Sequence, residues 1–463
     1  MWLGIDLGTQ SVRAQVTGDG GELLGSGSAP LTGERDGIRH EQSPADWWNA
    51  VRTACAGALR DGPRPRALAV CSTSGTVLLA DARGRALSPG VMYDDGRAPG
   101  RGPGRARLLL AEYGPGRVLH QADWITARLA GRLLPTDSSH ALKTGYDPAT
   151  GGFAAPGLPA GAAPDVVLPG TVIGATSREA EAAAGIPAGT LIVAGMTDGC
   201  AAQIASGALA PGSWNTVLGT TLVLKGVTAE PLHDPSGVVY SHLSPDGTSL
   251  PGGASGVGGG ALRAAFPAAD PAALDTLARA REPAGAVAYP LGSRGERFPF
   301  TAPEATGFLL GTPASDADHW AALLQGVALT ERLCLDYLDL LGAPVHGPVT
   351  FTGGAVRSAY WTRLRAEILG RTVRIPAASE PAFGMAVLAA YGAGAAGAAG
   401  APGTLAATAG RMVRVREVIR PGDGSRWAGP YLVLVDELER RGWLPPEVAA
   451  HARTRTEGAW GTP

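Results

Sequence analysis

Ile5-Asp6-Leu7-Gly8-Thr9-Gln10 and Thr216-Val217-Leu218-Gly219-Thr220-Thr221 are the two stretches on which the fold turns. Each ends an apolar, strand-like run in Leu-Gly-Thr plus a polar residue. Around the first, Trp2 to Leu7 is apolar, Gly8-Thr9-Gln10 breaks it, Val12 to Val16 resumes, and Gly18-Asp19-Gly20-Gly21 turns again before Leu23. Around the second, Trp214 to Leu218 is strand-like, Gly219-Thr220-Thr221 breaks it and Leu222 to Val227 resumes. Each copy opens a hairpin that is later followed by Gly-rich turns and helices, which reads as an internal duplication. Two similar α/β domains are expected, with the boundary near Ala208–Gly212 and a cleft between them as the ligand site. The domain limits that follow are 1–209 and 210–400. Beyond them lies a C-terminal extension, 401–463, expected to pack back on the first domain. Ala395 to Thr404 reads as a helix end plus linker and the last dozen residues as a frayed end.

Between the hairpins, Ser43 and Pro44 predict a helix start, Trp47, Val51, Ala54, Cys55, Ala58 and Leu59 follow at helical spacing, and Gly62 is the expected stop. Ala67–Cys71 and Thr76–Ala80 read as strands joined by Ser72-Thr73-Ser74-Gly75.

Composition narrows the class. The 463 residues are 45% apolar and 17% charged, enough for real cores and too little charge for disorder. A formal charge of −2 gives no general reason to bind nucleic acid or an anionic membrane. No apolar run reaches the length of a spanning helix, and Met1-Trp2-Leu3-Gly4-Ile5-Asp6 lacks a basic leader. Cys55, Cys71, Cys200 and Cys334 stand alone. A cytoplasmic enzyme, monomer or homodimer, is the expectation.

The chemistry sits at strand ends. Both Gly-Thr turns offer backbone N–H groups and hydroxyls to an anion, so Gly8, Thr9, Gln10, Gly219, Thr220 and Thr221 are phosphate-binding candidates. Asp6, beside the first turn, is placed to hold Mg²⁺, which takes few carboxylates and leans on substrate phosphates. Asp198 follows the apolar run Leu191-Ile192-Val193 and precedes a small-residue helix; alone it reads as a helix cap, but beside phosphate turns it reads as a general base. The run Ser72–Gly75 suits a polyhydroxylated substrate, and Tyr93-Asp94-Asp95-Gly96-Arg97 reads chiefly as a solvated loop. Thr350-Phe351-Thr352-Gly353-Gly354 is a strand entering a turn that a flat ring can approach, with a helix starting near Ser358. Glu380-Pro381-Ala382-Phe383-Gly384 opens another small-residue helix, expected to pack behind that turn. Lys occurs only at 143 and 225. Gly256-Val257-Gly258-Gly259-Gly260-Ala261 has dinucleotide-type spacing, but Leu250-Pro251-Gly252-Gly253 before it reads as a poor buried strand. No Gly-Lys-Ser/Thr, G-x-S-x-G or H-E-x-x-H occurs.

Taken in order, Gly4-Ile5-Asp6-Leu7-Gly8-Thr9, Leu218-Gly219-Thr220-Thr221 and Thr352-Gly353-Gly354 with Ser358 resemble the first phosphate, second phosphate and adenosine motifs of the FGGY carbohydrate kinases. Within that family Thr73-Ser74-Gly75-Thr76-Val77-Leu78-Leu79, Gln121-Ala122-Asp123-Trp124, His140–Tyr146, Tyr240-Ser241-His242 and Pro290–Pro299 are most similar to the short xylulokinase-like branch that acts on D-ribulose. The resemblance implies a two-lobed actin/hexokinase-like (ribonuclease H-like) α/β fold with duplicated domains, closing on ATP and a small-molecule sugar with Mg²⁺ as cofactor. It implies Asp198 as catalytic base, Asp6 near metal and phosphate, Asp6, Ser74 and Asp198 around the ketopentose, and Gly353, Gly354 and Ser358 at the nucleotide. Ala355 stands where the family's third glycine is usual and Arg357 where a lysine is usual, departures that bear on nucleotide affinity. The expected reaction is phosphorylation of D-ribulose to D-ribulose 5-phosphate. The alternatives are a xylulokinase or another pentulose or polyol kinase and, from another class, a non-catalytic sugar or nucleotide sensor. A dehydrogenase would rest on the Gly256 run alone.

Overall fold

The computed structural model describes residues 1–98, 102–148, 150–153, 157–397 and 403–460. The chain divides into two compact units. One holds Met1–Gly207, His242–Gly247 and Ala378–Arg414; the other holds Ala208–Ser241, Thr248–Ala377 and the chain from Val415 on.

The sheet of the first unit runs Val172–Ala175, Leu191–Val193, Ala67–Ser72, Trp2–Leu7, Ser11–Thr17, Leu23–Pro30. Trp2–Leu7 is antiparallel to Ser11–Thr17 and parallel to Ala67–Ser72, with Asp6 opposite Cys71. Alternation assigns its side chains to two faces. Leu3, Ile5 and Leu7 join a core with Trp47, Val51 and Ala54 of the helix Pro44–Ala58. Gly4 lies on the other face against the helix Pro381–Ala395, where a Cβ would collide with the Ala382 carbonyl. Asp6 shares Gly4's parity, and hence that face.

Six of the seven strands of the sheet in the second unit repeat the plan. The order is Val415–Ile419, Val373–Pro376, Val349–Thr352, Trp214–Leu218, Leu222–Gly226, Ser249–Ser255, and the seventh strand, Tyr240–Leu243, has no counterpart in the first sheet. Trp214–Leu218 is antiparallel to Leu222–Gly226 and parallel to Val349–Thr352, matching the first sheet pair by pair. The long helix Asp316–Leu340 is buried along most of its length. It carries Glu331, which holds Arg365 through two hydrogen bonds of 2.6 and 2.8 Å, both side chains fully buried. The Arg365 guanidinium also lies 3.7 Å from the Phe351 ring centre.

Four expectations need correction. The helix Pro381–Ala395 packs in the first unit, not behind the Gly353-Gly354 turn. Its small residues allow near-backbone contact, since a Cβ on Gly384 would strike the Ala201 carbonyl of the helix Asp198–Ser206. The extension is shared out rather than folded on the first unit. Leu405–Met412 packs on Pro381–Ala395, whereas Val415–Ile419 edges the second sheet and Tyr431 and Arg455 bond Asp336 in the second unit (2.5 and 2.6 Å). The end expected to fray is helical from Pro446 to Trp460; its last residues, 461–463, and part of the expected linker, 398–402, lie outside the described residues. Lastly, Ser249–Ser255 is a buried strand despite Pro251-Gly252-Gly253. The glycines have little β-propensity, but they admit the Leu224 backbone and the Phe298 ring at distances no side chain would allow.

No helix among the described residues is long and apolar enough to cross a membrane.

Candidate active site

In the first unit, parallel strand ends gather the acidic pair. Asp6 is the penultimate residue of Trp2–Leu7, and Asp198 is the first residue of the helix Asp198–Ser206, with Thr197 at the N-cap position. A parallel bridge between Ser72 and Thr197 ties that helix start to the end of Ala67–Ser72, the strand beside Asp6. Asp6 is buried and accepts a hydrogen bond from Cys71 Sγ at 3.4 Å. Burial first, and the neighbouring charge of Asp198 second, push its carboxyl up to about 7. Asp198 is half-buried; its Oδ1 accepts the Gly199 N–H at 2.8 Å. One carboxyl reluctant to ionise beside another that is more exposed is an arrangement that acid–base chemistry uses.

Ser74 lies half-buried in the loop between Ala67–Ser72 and Val77–Ala80. That loop is braced from beneath: Thr73 Oγ1 meets Thr76 Oγ1 at 2.6 Å and donates to Gln121 Oε1 at 3.1 Å, and the Gly75 carbonyl accepts from Arg105 Nε at 2.9 Å. Gly75 has φ +99°, which keeps a side chain out of this position. The run Tyr93–Arg97 is solvated only in part, with Tyr93 and Asp94 exposed. Asp95 is buried, bonded to the His40 N–H at 2.8 Å and to Arg97, whose Nη2 also reaches Glu41 at 2.6 Å.

The turns narrow the phosphate donors. Gly8 N–H donates to the Ser11 carbonyl and Gly219 N–H to the Thr221 carbonyl, both at 3.0 Å, so these two amides close their own hairpins. The donors left to an anion come from Thr9 and Gln10 in one unit and Thr220 and Thr221 in the other. Gln42 Nε2 holds the Thr9 carbonyl at 2.7 Å, with Gln42 fixed by Trp47 Nε1 at 2.8 Å.

Within the second unit a cavity of about 310 Å³ opens beside the second turn, lined by Gly219, Arg263, Asp275, Gly354, Ser358 and Trp361 among others. Gly353 has φ +85° and sits against the Leu218 backbone. Ser358 caps the helix Ala359–Leu369 by accepting the Trp361 N–H at 2.9 Å, and its hydroxyl donates to Asp275 Oδ2 at 2.6 Å. Trp320 Nε1 holds the other Asp275 oxygen at 2.8 Å. The Gly256–Ala261 run packs on the turn: Gly259 and Gly260 donate to the Gly219 and Thr220 carbonyls (2.9 and 3.0 Å), and Arg263 Nη2 reaches Thr220 Oγ1 at 2.7 Å. Arg263 and Asp275 were missed in the sequence, for they lie in no recognisable motif; the glycine run before Arg263 was the only signal.

Among the described residues no three His, Cys, Asp or Glu side chains gather as a metal cage. The donor set is a pair of carboxylates, one of them held well above the ordinary carboxylate range by burial and by the other's charge. This suits a hard cation that arrives with phosphate oxygens and water, not a resident metal.

Residues 1–101 match the N-terminal domain, and residues 214–393 the C-terminal domain, of the FGGY family of carbohydrate kinases, together more than half of the chain. A xylulose kinase of Streptomyces coelicolor is 28% identical, over 84% of this chain and 87% of that protein. A xylulose kinase of Klebsiella pneumoniae is 27% identical, over 84% and 89%. The crystal structure of xylulose kinase from Rhodospirillum rubrum superposes with a TM-score of 0.82 at 26% identity, covering 95% of this chain and 99% of that one. The two-domain actin/hexokinase-like α/β fold is common to these kinases, and the chain belongs to the FGGY family of carbohydrate kinases.

Proposed function

We propose that the chain is an ATP-dependent pentulose kinase whose general base is Asp198. The observation that carries this reading is the pairing of Asp6 and Asp198 at adjacent strand ends, in a chain whose second unit has a glycine-walled cavity beside a Gly-Thr turn. Asp198 accepts the proton of the sugar's terminal hydroxyl. The freed oxygen bonds to the γ-phosphorus of ATP as the bond to the β–γ bridging oxygen breaks, and ADP leaves. Ser74 and Asp6 hold sugar hydroxyls. Thr9, Gln10, Thr220 and Thr221 supply donors to the phosphates, and Gly353 and Gly354 admit the adenine ring. Asp6 would hold Mg²⁺, which when bound neutralises charge on the transferring group.

D-Ribulose is the proposed sugar, supported by the likeness of Thr73–Leu79 to the D-ribulose branch. D-Xylulose is the second reading, favoured by the activity named for the curated relatives. The test is ADP release with D-ribulose, D-xylulose, L-ribulose, glycerol and no sugar. The proposal expects kcat/KM highest for D-ribulose. Preference for D-xylulose moves the sugar to the second reading, and release unaffected by any sugar overturns the kinase assignment.

A further inference from the structure

Beneath Asp198 lies a buried polar cluster that this reaction scheme leaves unused. Asp137 caps the short helix Ser138–Ala141 of the first unit, and none of Asp137, Ser138, Ser139 and His140 is more than 3% exposed. Such a cluster is costly to bury unless its bonds are complete.

Nearly all of those bonds converge on Asp137. Its Oδ1 accepts the Ser139 N–H (2.9 Å), the Ser139 hydroxyl (2.5 Å) and the His140 N–H (3.0 Å). Its Oδ2 lies 2.5 Å from His140 Nδ1. A carboxylate can only accept, so Nδ1 carries the proton and the imidazole orientation is fixed. Burial opposes a charge on His140, but the Asp137 carboxylate outweighs it and the ring is pushed above its ordinary value; Asp137 is held below its own by the same partner, against its burial.

Two arms leave this hub and both end at the base of Asp198. Through one, His140 Nε2 meets Ser72 Oγ at 3.0 Å, and Ser72 is bridged to Thr197. Through the other, Ser139 Oγ, having donated its proton to Asp137, accepts the Thr197 N–H at 3.0 Å. Thr197 immediately precedes Asp198, and its N–H precedes the helix whose first turn Asp198 begins. The peptide that aims the carboxylate is therefore gripped from its own strand neighbour and from the side.

We infer that Asp137, acting through Ser139 and through the His140–Ser72 contact, is a positioning residue that fixes the Thr197 peptide and so the direction of the Asp198 carboxylate. The inference rests on Asp198 being the base. A misplacement of about 1 Å at a reacting group costs on the order of 10²-fold in rate. Substrate binding depends less on that carboxylate's aim, so the loss falls on kcat.

The experiment compares steady-state kinetics of wild type, Asp137→Asn, Ser139→Ala, His140→Gln and Asp198→Asn with MgATP and D-ribulose or D-xylulose, alongside thermal melting. Ser139→Ala deletes one arm and leaves the Asp137–His140 pair intact, so it serves even where Asp137→Asn does not fold. The inference expects kcat down roughly 10- to 100-fold in Ser139→Ala and His140→Gln, with KM for ATP and sugar within about threefold of wild type. Wild-type kcat in Ser139→Ala and His140→Gln, with or without a lowered melting point, overturns it while leaving the base assignment intact if Asp198→Asn is inactive. An active Asp198→Asn instead overturns the reading on which it rests.

Discussion

The two Gly-Thr hairpins are built alike and furnished differently. Both turn at a glycine whose N–H closes the loop, both lead from the central strand of a six-position sheet plan, and both strands pair in parallel with a strand that arrives later in the chain. Two residues before Gly8 stands Asp6; at the matching place before Gly219 stands Val217. The first turn is braced by an amide, Gln42, the second by a guanidinium, Arg263, and by the glycine run that approaches its carbonyls. Duplication thus supplies a frame for presenting donors, and under the proposed function a few substitutions divide acid–base chemistry and nucleotide binding between the copies.

The units also differ in what holds them together, and this gives the largest expected effect. The second unit buries the Glu331–Arg365 pair completely. Glu331→Ala leaves a buried guanidinium without its carboxylate and should cost about 3–5 kcal/mol in chemical denaturation. A loss below about 1 kcal/mol would show that the pair is dispensable.

The glycines sharpen the comparison. Gly353 has φ +85° and no room for a Cβ, so Gly353→Ala should cost about 1–3 kcal/mol and raise KM for ATP. Gly219 has no positive φ, and nothing lies within 4 Å of the place a Cβ would take. Gly219→Ala should therefore melt within a few degrees of wild type while, under the proposed function, raising KM for ATP. Equal loss of stability in both variants would remove that distinction.

Arg263→Ala tests the division of labour from the second side. It should raise KM for ATP roughly tenfold, the scale of one charge-assisted hydrogen bond, with KM for the sugar unchanged. A shift in sugar KM alone would contradict the assignment.

The last effect is a pH dependence. The Asp6 carboxyl titrates at about 7 when folded, against an ordinary value of 3.8. The folded chain therefore retains a proton that the unfolded chain releases, and the stability this gives is complete below 3.8 and lost as pH rises through about 7. Without metal or nucleotide, the melting temperature of wild type relative to Asp6→Asn should fall between pH 5 and pH 8. A difference that is flat or rises over that range would contradict the burial and charge repulsion argued for Asp6.

The turns, the duplication and the strand-end carboxylates were legible because each depends on local chemistry: a glycine breaking an apolar run, an acid where apolar residues are the rule. Neighbours distant in sequence were not. The helix Pro381–Ala395 is apolar nearly all round, so its pattern does not say which sheet it covers; only the glycines at 4 and 384 reveal the partner, and only once folded. Ser249–Ser255 differs from its expectation because its Pro and Gly residues oppose a strand by propensity, and tertiary packing overrides propensity. Asp137 caps a short helix while its second oxygen reaches His140, and Asp275, inside the helix Pro271–Ala278, gives its two oxygens to Ser358 and Trp320; no local pattern reveals such partners.

The central claim is that the first unit provides the base and the second binds the nucleotide. Its most direct test is Asp198→Asn, measured both for sugar-dependent ADP release and, by calorimetry, for binding of ADP. The account predicts that release falls roughly 10²- to 10⁴-fold while ADP affinity stays within about twofold of wild type. Turnover close to wild type in Asp198→Asn would contradict it.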